Sequence, residues 1–318
     1  MKRTILVIVL SLALLLSVAP AALAENISPQ AGVDNVDPTV SDVALRNAGD
    51  TAPVTSLDAE VEYLVKFTAA DDNTLADLNT CVVNLYYESQ AANAIRSYYT
   101  FTWTQSSNTW ACANGAAYLD PTGSSTVPGD MSAGSFAFKL YFKLDGVAMP
   151  SGATKTWHVK VTVTDDTGTT PAVDSTLTFD VNEWRNIDSY TSSLNWGNVA
   201  PGASLASKAV DPTITANLKT DIQLTGADLT SGSNSIPMGQ FEFDDATPLV
   251  TGTAFDGTAQ VAVANVVETA DSLDVAITGY TDAVLKALSI AGAVPTYQED
   301  GTYTGTWTLS LSDVETPS

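Results

Sequence analysis

The side chains most able to do chemistry in this sequence are oxygen ligands. The stretch AADDNTLADLN (69–79) sets Asp71 and Asp72 side by side, then Asn73, Asp77 and Asn79, between two apolar runs. Carboxylate and amide oxygens are what calcium binds. The stretch is no EF-hand loop, because it lacks the central glycine and the terminal glutamate. Its plainer reading is a solvated acidic turn, which aspartate supplies in any β-protein. His158 is the only histidine, and alternation along KTWHVKVTVT (155–164) puts it on the polar face with Lys160, Thr162 and Thr164. A histidine-based triad therefore has no second candidate, and no GxSxG elbow, HExxH pair or phosphate loop occurs. Carboxylate-only chemistry such as glycoside hydrolysis stays open, since it needs only two placed acids.

Two further sets of side chains raise specific expectations. Cys81 and Cys112 are the only cysteines, and in an oxidising compartment such a pair is most simply one disulfide. Closing a loop of about 31 residues would contribute roughly 3–4 kcal/mol in the chain-entropy treatment; the alternative is two buried thiols. Tyr86, Tyr87, Tyr98 and Tyr99 flank one hairpin, with Trp110 near the next turn and Trp184 and Trp196 further on. Tyr86, Tyr98 and Trp110 are the candidates for a glycan-binding platform; the competing reading is packing.

The compartment follows from the first residues. Lys2 and Arg3, the apolar run ILVIVLSLALLLSV (5–18) and Ala22-Leu23-Ala24 read as a secretory signal over 1–24, with cleavage before Glu25. The run is short for a membrane span, and no other stretch predicts one in the mature chain. The expectation is a secreted protein of the cell surface or extracellular space. The chain carries 36 acidic and 13 basic residues, a formal net charge of −23. Nucleic acid needs basic surface, so it is excluded as a partner, as is an anionic membrane. Cations, neutral glycans and further copies of the chain remain. Aspartate outnumbers glutamate 27 to 9, which suits turns between strands better than long acidic helices.

Period-two patterning predicts the elements that must position these groups. EVEYLVKFTA (60–69), TCVVNLYYE (80–88), FAFKLYFKL (136–144) and STLTFDV (175–181) each place apolar residues on one face. SYYTFTWT and TWACA flank the turn QSSN, which predicts Trp103 opposite Trp110 and Phe101 opposite Cys112. The division read from this pattern is a flexible leader over 25–38, a sandwich over 39–182, a linker over 183–192 and a second sandwich over 193–318. DAVLKALSIAG (282–292) reads as a helix, or equally as a buried strand pair. The fold class is all-β: two tandem antiparallel sandwiches after the signal peptide.

The first sandwich resembles the immunoglobulin-like (Ig-like) modules of large bacterial and archaeal surface proteins, through YLVKFTAADDNTLADLNTCVVNLYYES and HVKVTVTDDTGTTPAVDSTLTFDV. The second is similar to another such module, through WGNVAPGAS, TDIQLTGADLTSGSN and YTGTWTLSLS. That resemblance implies that the incoming segment DNVDP (34–38), the loop DDNTLAD (71–77) and the turn DDTG (165–168) share one end. Asp34, Asp37, Asp71, Asp72, Asp165 and Asp166 would then form a calcium-binding rim. It also implies a non-enzymatic structural role, as a surface-layer, matrix or filament subunit whose partners are itself or other surface proteins. An adhesion or carbohydrate-binding protein is the alternative, and a carboxylate-based glycoside hydrolase the second. The leader could add as a strand to a neighbour's open sheet edge; a disordered terminus is the competing reading.

Overall fold

The computed structural model describes residues 30–88, 95–121, 124–152, 155–167, 170–218, 220–244, 253–254, 261–263, 284–285 and 287–313. The signal segment 1–24 and leader residues 25–29 lie outside them. Residues up to Asn35 form one unit and Val36–Ser318 a second. Residues 30–35 carry no helix or strand.

Alternating apolar residues build the first half of the larger unit from ten strands: β1 (Thr39–Asn47), β2 (Ser56–Leu57), β3 (Glu62–Ala70), β4 (Leu78–Tyr87), β5 (Tyr98–Thr104), β6 (Thr109–Cys112), β7 (Ser135–Lys143), β8 (Trp157–Asp165), β9 (Ala172–Asp174) and β10 (Thr178–Val181). One sheet runs β1-β3-β7. The other runs β2-β10-β8-β4-β5-β6, with β9 also on β8. All pairs are antiparallel except the two-residue parallel contact of β2 with β10. Trp103 pairs with Trp110 and Phe101 with Cys112, the register expected from the QSSN turn.

The sheets close on each other through aromatic rings. Phe138 of β7 meets Trp103 and Trp110 of the facing sheet edge-on, at 5.2 and 5.9 Å between centroids. Phe142 meets Phe101 at 5.9 Å, and Phe67 meets Trp110 at 6.4 Å. Trp157, Val159, Val161 and Val163 on β8 and Cys81, Val83 and Leu85 on β4 are fully buried beneath them. The alternation of EVEYLVKFTA (60–69) puts Val61 on the inner face with Tyr63, Val65 and Phe67, but it precedes β3 and is 44% exposed.

Two expectations change, and one open alternative is decided. No disulfide forms: both cysteines are free thiols. Cys81 stands opposite Trp103 and Cys112 opposite Phe101, so β5 lies between them with a two-residue offset. Two strand spacings of about 4.8 Å plus that offset put the Cα atoms beyond the ~7 Å a disulfide spans. Burial pushes both thiols up. The expected linker 183–192 contributes a strand, Arg185–Ser189, paired antiparallel with Thr213–Ala216. Of the two readings of 282–292, helix or buried strand pair, the strands are found where described, Val284–Leu285 on Thr213–Ala216 and Ser289–Ala293 on Ser204–Ala209. There, burial of Leu288 and Ile290 outweighs helical spacing.

The second half holds its own core, with Leu205, Ile214, Ile222, Phe241, Leu288 and Ile290 at its centre. Its strands form several small sheets, including Thr220–Thr225 between Val261–Val263 and Thr308–Asp313. SLDVAITGY (272–280), whose alternation also predicts a strand, lies outside the described residues. The two halves meet tightly at Trp184. Its ring packs so close to Gly146 that a Cβ there would sit 2.6 Å from it. Asn217 accepts the Trp184 amide and donates to the Asn182 carbonyl.

Phe138→Ala should lower stability by about 3–5 kcal/mol, read as a shifted urea midpoint. Denatured chain alkylated without reductant should take up label at both cysteines, and reductant should leave the melting temperature unchanged.

Candidate functional site

The inward alternation of β3 and β8 does not stop at their last apolar residues. On β3 the inner positions run Tyr63, Val65, Phe67, Ala69 and continue to Asp71; on β8 they run Trp157, Val159, Val161, Val163 and continue to Asp165. Two facing sheets therefore each deliver an aspartate to the same end of the interior. Asp71 is 2% exposed and Asp165 1%.

The loop from β3 to β4 folds over this end through local bonds. Asp71 Oδ1 accepts the Asn73 amide at 2.7 Å, and the Asp71 carbonyl accepts the Thr74 amide. A 3-10 turn over Leu75–Asp77 comes next, buried at Leu75. The Asp166 amide donates to the Asp77 carbonyl at 2.8 Å, and Leu78 pairs with Asp165 in register. The start of the larger unit joins too: the Val36 amide donates to Asn73 Oδ1 at 2.7 Å.

Asp77 is the focus of the charge. Burial raises its carboxyl pKa, and the charges of Asp166, Asp71 and Asp165 push it further the same way. The Asp166 carboxyl also lies close enough to that of Asp77 to add directly to the rise, a crowding that a proton or a cation between them relieves. Asp71 Oδ2 and Asp77 Oδ2 are buried and have no hydrogen-bond partner. The opposite end of the sandwich shows how a buried acid is ordinarily satisfied. Asp145 there accepts the Tyr118 hydroxyl at 2.6 Å and the Val147 amide at 3.0 Å.

Of the six rim candidates, the structure brings Asp71, Asp165 and Asp166 together around Asp77. Asp72 and Asp37 are exposed. Asp34 is exposed in the separate N-terminal unit. Asp77 was outside the expected ligand set. No strand periodicity marks it, because it lies in the 3-10 turn; the alternation past Ala69 and Val163 marks Asp71 and Asp165 as interior rather than rim positions. Among the described residues, no three His, Cys, Asp or Glu side chains are gathered at one point as a ready metal site.

The aromatic candidates separate. Tyr98, Tyr86 and His158 form one row across β5, β4 and β8 on the outer face, with rings stacked at 5.9 and 5.1 Å. The rings cover each other's faces, and a sugar needs an open ring face. Trp110 is not part of that row. It packs inward on Phe67 and Phe138, and its Nε1 donates to the Thr126 carbonyl. In the second half, a groove of about 880 Å³ is lined by Tyr190, Trp196, Tyr303, Trp307, Gln298 and Glu299 among others. Among the described residues no helix is long and apolar enough to cross a membrane.

No protein-family model matches the chain, and no curated protein is significantly similar to it. Solved structures that align with it include the major pilin subunit of Bacillus cereus and a point variant of that subunit. The variant is 12% identical, with 88% of this chain and 67% of that one covered and a TM-score of 0.26. The unsubstituted subunit is 11% identical, with 85% and 63% covered and a TM-score of 0.25. Likenesses this weak assign the chain neither a family nor a role.

The raised Asp77 pKa has a definite sign. The folded state holds its proton above the pH where the unfolded chain loses it, so in metal-free buffer stability falls as pH rises through the folded pKa. Melting temperature measured from pH 4 to pH 7 should decline for the parent chain, and Asp77→Asn should flatten that decline.

Proposed function

We propose that the chain is an exported, non-enzymatic structural subunit of a prokaryotic cell surface or extracellular matrix, assembled with further copies or with other surface proteins. The observation that supports this best is how the first sandwich uses its reactive side chains. The only histidine is stacked on Tyr86. Thr80 and Thr164 share a 2.7 Å hydrogen bond across β4 and β8, and Asn84 donates to Thr100 across β4 and β5. Lys139, Lys66 and Arg46 converge on Asp50, whose pKa they hold down at about 2. These groups knit one strand to the next, which suits a mechanical module more than a catalyst. In the groove of the second half, the acids are Glu299 and Asp300, neighbours on one stretch of chain; a hydrolase needs acids on both sides of its bond.

One observation favours a second reading, glycan binding. Trp196 and Trp307 flank buried Phe241, at 5.7 and 4.9 Å, and also line the groove beside Tyr303. Their ring nitrogens are already bonded to the Ala206 and Ala227 carbonyls, which fixes the rings in place.

Negative-stain microscopy of the purified mature chain should show regular filaments or sheets. Dispersed monomers at every concentration, together with saturable binding on a glycan array that Trp307→Ala abolishes, would replace the structural reading with the second.

A further inference from the structure

We propose that the acidic end of the first sandwich binds one calcium ion, with Asp71 and Asp77 as its principal ligands and Asp165 and Asp166 beside them. Three observations carry this. Asp71 is only 2% exposed, at an inner-face position, and its Oδ2 has no hydrogen-bond partner. Asp77 Oδ2 is buried and unpartnered in the same loop. Among the described residues, no lysine or arginine pairs with either carboxylate, whereas Asp50 gathers three cations. A buried carboxylate oxygen without a partner costs the fold its desolvation, and the like charges of Asp71, Asp165 and Asp166 bear on Asp77. One divalent cation removes both costs.

The chemistry of the site selects the ion. The side chains that meet there offer hard oxygen, the carboxylates of Asp71, Asp77, Asp165 and Asp166, with main-chain carbonyls of the β3–β4 loop beside them. Calcium takes six to eight such oxygens in a flexible shell and does not require three acids at one point. Magnesium demands a tighter octahedron, and zinc prefers nitrogen or sulfur. The ion would tie β3 and β4 of opposite sheets to the end of β8, closing the sandwich where its apolar layers stop. This binding does not depend on whether the chain forms filaments.

The test uses the chain stripped with EGTA. Extracellular calcium modules bind at about 10⁻⁴–10⁻³ M, so titration runs to about 5 mM CaCl₂. Calorimetry should show one saturable site, and melting temperature should rise by about 3–5 °C. Asp77→Asn should melt higher than the parent in EGTA, because a buried charge is gone, yet gain nothing from calcium. Asp71→Asn should also lose the calcium response. Equal melting of the parent in EGTA and calcium would overturn the proposal. So would an undiminished calcium response in Asp77→Asn, the variant least at risk of misfolding. An equal response to MgCl₂ would overturn the assignment to calcium.

Discussion

The interlock of aromatic rings between the two sheets sets the frame of the first sandwich. Phe138 sits between Trp103 and Trp110 from across the interface and is stacked on Phe67 within its own sheet at 5.1 Å. Edge-to-face pairs of this kind add directional energy to the burial of large apolar surface. They set the spacing of the sheets, and that spacing leaves room for valine and leucine layers along β4 and β8. With the interior filled this way, polar side chains can occupy only the outer faces and the two ends.

The ends then obey different rules. At one, Asp145 joins a closed network: Tyr118 donates to it, and its own amide donates to the Tyr99 hydroxyl, which in turn donates to the Ile95 carbonyl. Each donor in that network has an acceptor. At the other, carboxylates face carboxylates. A sandwich whose apolar layers are this well packed can hold such an end in place, but the repulsion there opposes the closure that the aromatic layers favour. The outer face shows the same economy of polar groups, with cross-strand threonine, asparagine and tyrosine contacts bracing neighbouring strands.

Much of this was legible in the sequence, because a buried sheet face imposes period two. Cys81, Val83, Leu85 and Tyr87 share the inner face as their alternation predicts, and the QSSN turn sets the register of β5 and β6. Val36, the β3–β4 loop and the end of β8 do approach one another. What the pattern could not convey was distance across the sheet. Cys81 and Cys112 share a face but are two strands apart, and Trp110 shares a hairpin with outward tyrosines but points inward. At 71 and 165, acidic residues in turn-like sequence read as solvated, though their parity with Phe67 and Val163 was the signal that they point inside. Over 284–293, strands pair because distant segments supply a buried apolar surface, a constraint that local spacing does not carry.

Hydrogen exchange read by mass spectrometry separates a rigid aromatic frame with one weak, acidic end from a sandwich of even stability. In EGTA, β3, β4, β5, β7 and β8 should be the slowest segments, with 71–78 and 164–167 exchanging faster. Added calcium should slow those two segments alone. Uniform exchange across the sandwich, or protection at 71–78 already equal to that of the core strands in EGTA, would contradict this picture.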